Sequence, residues 1–184
     1  MTAPTTTRPT STRPTVTRPT VTRRTMTEIT SPIGPITLAA VDGVLSGVYM
    51  EAHRHAPGFE TLGERDDEVL TEAVRQLGAY FAGELTEFDL PLSPAVGTPF
   101  QHRVWAALAE VGYGQTASYG ELATAIGQPT ASRAVGMANG RNPLSIVVPC
   151  HRVVGSNGRL IGYGGGVERK RFLLDLERAT LAAA

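Results

Sequence analysis

A single cysteine, Cys150, stands in a chain of 184 residues. One thiol closes no internal disulfide and builds no cysteine-rich zinc module, so a packed apolar core must hold the fold together. The 41% of hydrophobic residues suffice for such a core, and the length allows one ordinary domain or two small ones. No run of about eighteen apolar residues marks a membrane span. A free thiol with no secretory apolar region predicts a cytoplasmic protein.

A net charge of zero hides a strong division. Residues 1–25 carry five arginines and no acid; residues 26–96 carry three arginines against twelve acids; residues 97–184 carry nine basic residues against five acids. An acidic block followed by a basic one predicts two parts, the second better suited to a polyanion. Ahead of both, T-R-P-T recurs at 7–10, 12–15 and 17–20. Its prolines and lack of large apolar side chains predict an extended, disordered tail over 1–25. Three readings fit it: a basic arm, an organellar-style leader, or translated upstream sequence with the start at Met26. The absence of an apolar helical face weighs against the leader.

From Met26 to residue 96 the pattern is that of a small α/β unit. "MTEITSPIGPITLAAVDGVLSGVYM" reads as short strands, with Asp42-Gly43 as a hairpin turn. Val69, Leu70, Ala73, Leu77 and Phe81 predict an amphipathic helix ending near Gly83, and "TEFDLPLSP" a returning strand. His53 and His55 lie in a polar loop, where two histidines with no further ligand nearby do not make a metal site. From 97 to 184 the chain turns helical. Pro99 opens a helix burying Phe100, Val104, Ala107, Leu108 and Val111. Ser118 and Glu121 form a capping box for the next, and Thr130 is a candidate cap for a third. Two short helices across a Gly-Gln-Pro turn have the form of a helix-turn-helix. The second is thin, built from Ala131, Ser132, Ala134, Gly136, Ala138 and Gly140 with Arg133 as its one long basic side chain. Such a helix packs closely on a neighbour or enters a groove.

Cys150 ends an apolar run in "IVVPCHRVVG". A lone cysteine is commonly an inert buried hydrophobe. Here His151 is a candidate base and Arg152 a source of positive potential, and a thiol needs such help to ionise at neutral pH. Adjacent residues on a regular strand face opposite ways, so cooperation requires the irregular backbone that Pro143 and Pro149 suggest, or a bridging water. Glu177, late on the helix carrying Leu173, Leu174 and Leu176, is placed to hold the imidazole's other nitrogen.

Together, "NPLSIVVPCHRVVGSNGRLIGYGGGVERKRFLLDLE", "FQHRVWAAL", "SYGELA" and "SRAVGMANG" closely resemble the O6-alkylguanine-DNA alkyltransferases, the methylated-DNA–protein-cysteine methyltransferases, over about residues 97–178. "TSPIGPITLAA" and "LGAYFAGELTEFDLPL" resemble that family's first domain. The resemblance implies a ribonuclease-H-like α/β domain followed by a mainly helical domain with a winged-helix-like helix-turn-helix. It implies a single-turnover DNA repair enzyme that moves an alkyl group from O6 of guanine, and from O4 of thymine, onto Cys150. It gives His151 the thiol proton through a water, Glu177 the orientation of His151, Tyr119 proton donation to guanine N3, and Asn142 the turn around the site. Arg133 fills the space of a flipped nucleotide while Ala131, Ser132 and Gly136 follow the minor groove. Val153, Tyr163 and Gly164 form the base pocket; some relatives carry serine at the Gly164 position. The implied partner is double-stranded DNA containing O6-alkylguanine, met by a monomer with no cofactor and no metal. The reading requires a reachable sulfur beside an opening that admits a purine. Two other classes remain: a sensor that binds alkylated guanine without transfer, which Cys150 disfavours, and a transcriptional regulator, which the small side chains of the second helix disfavour.

Overall fold

The structure, a computed structural model, describes residues 22–93 and 96–183. Its first half is an antiparallel meander, β1 (Arg24–Ile29), β2 (Ile36–Val41) and β3 (Val44–Met50), with the two-residue β4 (Glu64–Arg65) parallel to β1. The sheet order is β3-β2-β1-β4. Asp42 and Gly43 turn β2 into β3 with φ of 50° and 82°, the double left-handed geometry of a tight hairpin. β1 begins inside the stretch expected to be tail, because Arg24 and Thr25 already pair with Val41 and Ala40. The repeats at 7–20 lie outside the described residues.

Ile36, Leu38 and Ala40 point from β2 into the core, as strand alternation requires. α1 (Thr71–Phe81) covers that core with Ala73, Leu77 and Tyr80. The expected strand in "TEFDLPLSP" does not form beyond one bridge, Leu45 to Leu92. Gln76 takes the backbone of Asp89 instead, donating to its carbonyl at 2.8 Å and accepting from its N–H at 2.9 Å. Pro91 has no N–H to offer a ladder.

The second half is helical: α2 (Pro99–Ala109), α3 (Tyr119–Ala125), α4 (Ser132–Asn139) and α5 (Val167–Ala183). Capping boxes start α2, at Thr98 and Gln101, and α3, at Ser118 and Glu121. Thr130 does not cap α4; the N-cap is Ala131, without a side-chain bond, because the connecting turn already closes through Ala131 N–H to the Gln128 carbonyl at 2.9 Å. α3 and α4 form the helix-turn-helix, with Gly127 at φ 73° in the turn. The Trp105 indole N–H holds α4 on α2 through the Ala138 carbonyl at 2.9 Å.

One apolar core joins the halves, running from Leu38 and Val48 through Leu77 to Val104, Leu108, Ala123, Val135 and Leu173. Two polar joints reinforce it. The Val48 N–H on edge strand β3 donates to the Pro143 carbonyl at 2.8 Å, so the segment leading to Cys150 covers a sheet edge. Arg169 on α5 donates to the carbonyls of Ile33 (2.9 Å), Glu51 (2.8 Å) and Gly165 (3.0 Å). Arg169→Met keeps the stem and removes these donors. It is expected to lower the unfolding free energy by about 2 kcal/mol in urea denaturation; no loss would mean that Arg169 is not one of the joints between the halves.

Candidate active site

Residues 142–148 form a tight strap before the cysteine. Asn142 closes it, donating through Nδ2 to the Val148 carbonyl at 2.8 Å and accepting the Leu144 N–H at 3.1 Å. Within it Ile146 adopts φ 74°, a strained conformation for a β-branched residue, and is almost fully buried. The strap delivers the chain to Pro149, after which Cys150–Arg152 make one 3-10 turn. The backbone is thus bent where a strand would have sent Cys150 and His151 to opposite faces. β6 (Val153–Val154) follows at once and pairs in parallel with β5 (Ala117–Ser118), which sets Tyr119 beside the cysteine turn. The Asn139 side chain at the end of α4 reaches the Cys150 carbonyl at 3.4 Å, tying the thin helix to the same turn.

His151 and Glu177 are both fully buried and joined at 2.8 Å, Nε2 to Oε1. A carboxylate only accepts, so the imidazole proton sits on Nε2 and Nδ1 carries the free lone pair. That nitrogen is buried and, among the described residues, has no hydrogen-bond partner. Burial lowers the His151 pKa against the pull of Glu177, so the ring is neutral. Glu177 also accepts from Tyr80 Oη (2.9 Å), the Gly114 N–H (2.9 Å), and Arg152 Nε and Nη2 (both 3.0 Å). Burial alone raises its pKa, but hydrogen bonds from His151 and Arg152 outweigh it and hold the carboxyl well below the ordinary range. Arg152 therefore does not serve the thiol directly, as its sequence position suggested. Its guanidinium is taken by Glu177, the Val111 carbonyl (2.6 Å) and the Tyr113 ring.

The thiol is not exposed. Cys150 shows 3% of its surface, and burial pushes its pKa up against hydrogen bonds from Asn142 and Ser145 and the charge of Lys170. Among the described residues it makes no direct hydrogen bond to His151; Ser145 Oγ lies 3.9 Å from the sulfur. This corrects the expectation of an open sulfur. The 161–166 loop, on the wall of a neighbouring cavity, is tied down at several points. Lys170 Nζ grips the carbonyls of Val153 and Ile161, Tyr119 Oη donates to the Ile161 carbonyl at 3.0 Å, and the Arg54 N–H donates to the Gly164 carbonyl at 3.0 Å. Outside this loop lies a cavity of about 640 Å³, ample for a purine, lined by Tyr119, Arg133, Gly136, Met137, Tyr163 and Gly164 among others. Ser132 lines it too, whereas Ala131 and Val153 do not. The pKa values of Tyr119 and Tyr163 are raised by burial first and by Cys150 second.

Sequence periodicity left out Tyr80, His53, Ser145 and Lys170. Lys170 had a signal that could have found it: with Leu173, Leu174 and the expected Glu177 it occupies i, i+3, i+4 and i+7, the buried stripe of α5. Among the described residues no cluster of three or more ligating side chains marks a metal site, and no helix is long and apolar enough to cross a membrane.

Fold and site define a two-domain protein in which a helix-turn-helix is tied through Asn139 to the turn that carries a buried cysteine and a His–Glu pair. The family model of the 6-O-methylguanine DNA methyltransferase ribonuclease-like domain matches residues 25–94, and that of the same family's DNA-binding domain matches 99–179. A methylated-DNA–protein-cysteine methyltransferase of Mycobacterium tuberculosis is 54% identical over 155 residues, 84% of this chain and 93% of the relative. A Methanosarcina acetivorans protein of the same name is 53% identical over 148 residues, 80% of this chain and 94% of the relative. The crystal structure of Mycobacterium tuberculosis OGT in complex with DNA superposes with a TM-score of 0.81 at 53% identity, covering 85% of this chain and 94% of that one. The chain belongs to the methylated-DNA–protein-cysteine methyltransferase family.

Glu177→Gln leaves Arg152 without its buried counter-charge and is expected to cost about 3–5 kcal/mol in urea denaturation at neutral pH. In the native protein the depressed Glu177 pKa contributes stability that is complete above the unfolded-state value of about 4.3 and drains away as pH falls through the lower folded value. A denaturation midpoint that stays level down that range would contradict the buried ion pair.

Proposed function

We propose that this chain repairs DNA by taking an alkyl group from O6 of guanine, and from O4 of thymine, onto Cys150, once per molecule and irreversibly. The observation that carries the reading is the neutral His151, its proton fixed on Nε2 by Glu177 and its bare Nδ1 buried beside the cysteine turn. A thiol suits the chemistry because a saturated carbon favours a soft nucleophile. The Cys150 proton passes through a water to His151, sulfur bonds to the alkyl carbon as that carbon's bond to O6 breaks, and Tyr119 supplies a proton to N3 of the leaving guanine. The thioether left on Cys150 is reversed neither by water nor by guanine, so the protein is consumed.

Reaching the sulfur requires the base to leave the duplex. Support for base flipping comes from the surface around the cavity. Arg133 is exposed, makes no ion pair among the described residues, and stands on α4 with Ser132 and Gly136 at the cavity wall. The thin face of α4 suits the minor groove, Arg133 the space vacated in the stack, and Tyr163 and Gly164 the walls of the base pocket. Val153 is more restricted: it is fully buried, paired with Ala117, and its carbonyl already accepts from Lys170. Asn142 holds the strap. The chain divides, on this reading, into an α/β domain that starts with β1 at Arg24 and runs to 96, and an acceptor domain over 97–184, acting as a cytoplasmic monomer.

Mixed with duplex DNA containing O6-methylguanine, the protein is expected to gain about 14 Da, one methyl replacing one hydrogen, on the peptide bearing Cys150. Cys150→Ala is expected to bind the same duplex without any gain. Tight binding by the native protein with no mass change would instead identify a sensor. Arg133→Ala is expected to slow repair in duplex by about tenfold or more while sparing reaction with free O6-benzylguanine, which needs no flipping; single-turnover assays on both substrates separate the two, and equal losses would remove Arg133 from the flipping step.

A further inference from the structure

The N-terminal domain places one side chain at the reactive thiol's own hydrogen-bond network. His53 follows β3 and is buried, with its imidazole edge-on to the Tyr49 ring. Its Nε2 lies 3.3 Å from Ser145 Oγ, and that same oxygen lies 3.9 Å from Cys150 Sγ, within reach of a sulfur hydrogen bond. Ser145 is fully buried. His53 is also wedged against the 161–166 loop: a Cβ on Gly164 would stand 2.5 Å from His53 Nε2 and 2.7 Å from Cε1. The imidazole thus fills the space that a side chain at position 164 would need.

We propose that His53 and Ser145 form a second hydrogen-bond chain to the sulfur, in which His53 aims the Ser145 hydroxyl and Ser145 donates to the thiolate as it forms. His53 is then a positioning residue, and the inference rests on Cys150 being the alkyl acceptor. Burial, with His55 and Arg169 adding to it, lowers the His53 pKa to about 4, so the ring is neutral and donates through one nitrogen only. With the proton on Nε2 the ring donates to Ser145 Oγ and frees the serine hydrogen for sulfur; Nδ1, buried and without a partner, is then a bare lone pair. With the proton on Nδ1 an N–H is stranded in the interior and the serine hydrogen is drawn away from sulfur. Once the thiol ionises the first arrangement prevails, because it ends in a donor aimed at the anion. Burial is the largest influence against that anion, so each donor matters.

The other titratable groups facing the sulfur are Tyr119, Tyr163 and Lys170; those facing His53 are His55, Arg169 and Tyr49. Both tyrosines near the sulfur stay protonated at neutral pH, and Lys170, lowered to about 8 by burial, favours thiolate while charged. None of these is altered in the variants that test the chain. Single-turnover transfer from free O6-benzylguanine is measured across pH for the native protein, Ser145→Ala, His53→Phe, His53→Gln and the Ser145→Ala/His53→Phe pair. Ser145→Ala and His53→Phe are each expected to move the rise in rate about one pH unit higher and to slow transfer about tenfold at neutral pH. His53→Gln keeps an amide N–H near the Nε2 position and is expected to stay near the native profile. The double variant is expected to be no slower than the slower single one, since the two residues act in series. Slowing without a moved profile in His53→Phe, multiplied losses in the double variant, or failure of His53→Gln to restore the profile would overturn the chain. If the native protein transfers nothing to Cys150, the repair reading fails separately. The ultraviolet absorbance of the thiolate, titrated in the same set, then decides the chain by itself: a native-like titration in both His53→Phe and Ser145→Ala rejects it.

Discussion

The buried carboxylate of Glu177 is the interaction on which the rest of the structure depends. A charge with no exposed surface is costly unless surrounded by donors, and Glu177 gathers them from three separate pieces of chain. Tyr80 comes from α1 in the first domain, the Gly114 N–H from the turn after α2, and His151 and Arg152 from the cysteine turn, while Glu177 itself rides on α5. Each donor is satisfied only if all the pieces are in register. The carboxylate therefore sets the proton of His151 on one nitrogen and, by the same bonds, fixes the relative positions of α1, α5 and the cysteine turn. Site geometry and domain packing are one constraint here.

That shared constraint gives the first domain a part in the site. The strap of residues 142–148 hangs from the edge of β3 through Val48 and Pro143, and its strained Ile146 is held by Asn142 at both ends. The loop after β3 supplies Arg54 to the Gly164 carbonyl and His53 to Ser145. A sheet that carries no reactive group of its own in the sequence thus holds both the approach to the sulfur and the loop over it.

The elements read most easily from sequence were those dictated by local chemistry. Asp42-Gly43 turned where its left-handed preference requires, Ser118 and Glu121 capped α3, and the spacing of Ala73 and Leu77 gave α1. The failures have equally definite causes. "TEFDLPLSP" is apolar and β-like, but Gln76 satisfies its backbone and only the folded chain brings Gln76 there. Thr130 has the chemistry of a cap, yet the preceding turn closes one residue later. At the site, the P-C-H-R run was conspicuous, whereas the partners of Arg152 were not: a guanidinium next to a cysteine in sequence belongs in space to a carboxylate twenty-five residues away. Ser145 and His53, ninety-two residues apart, had no local signal at all.

The burial of Cys150 bears on how such a thiol survives to be used. A buried neutral thiol is a poor nucleophile toward passing electrophiles, because the thiolate is the reactive form and burial is the main influence suppressing it. The 161–166 loop beside the cavity is held by reversible contacts: Lys170 to carbonyls at its start, Tyr119 to Ile161, and Arg54 to Gly164. All of these partners lie on or beside the cavity wall, so a base entering the cavity competes directly for them. On the proposed reaction a molecule spends its sulfur once, and an acceptor left open would be lost to whatever arrived first. On that reaction the burial of Cys150 keeps the thiol protonated in the resting protein, and the hydrogen bonds that hold the loop are the ones an entering purine would meet first.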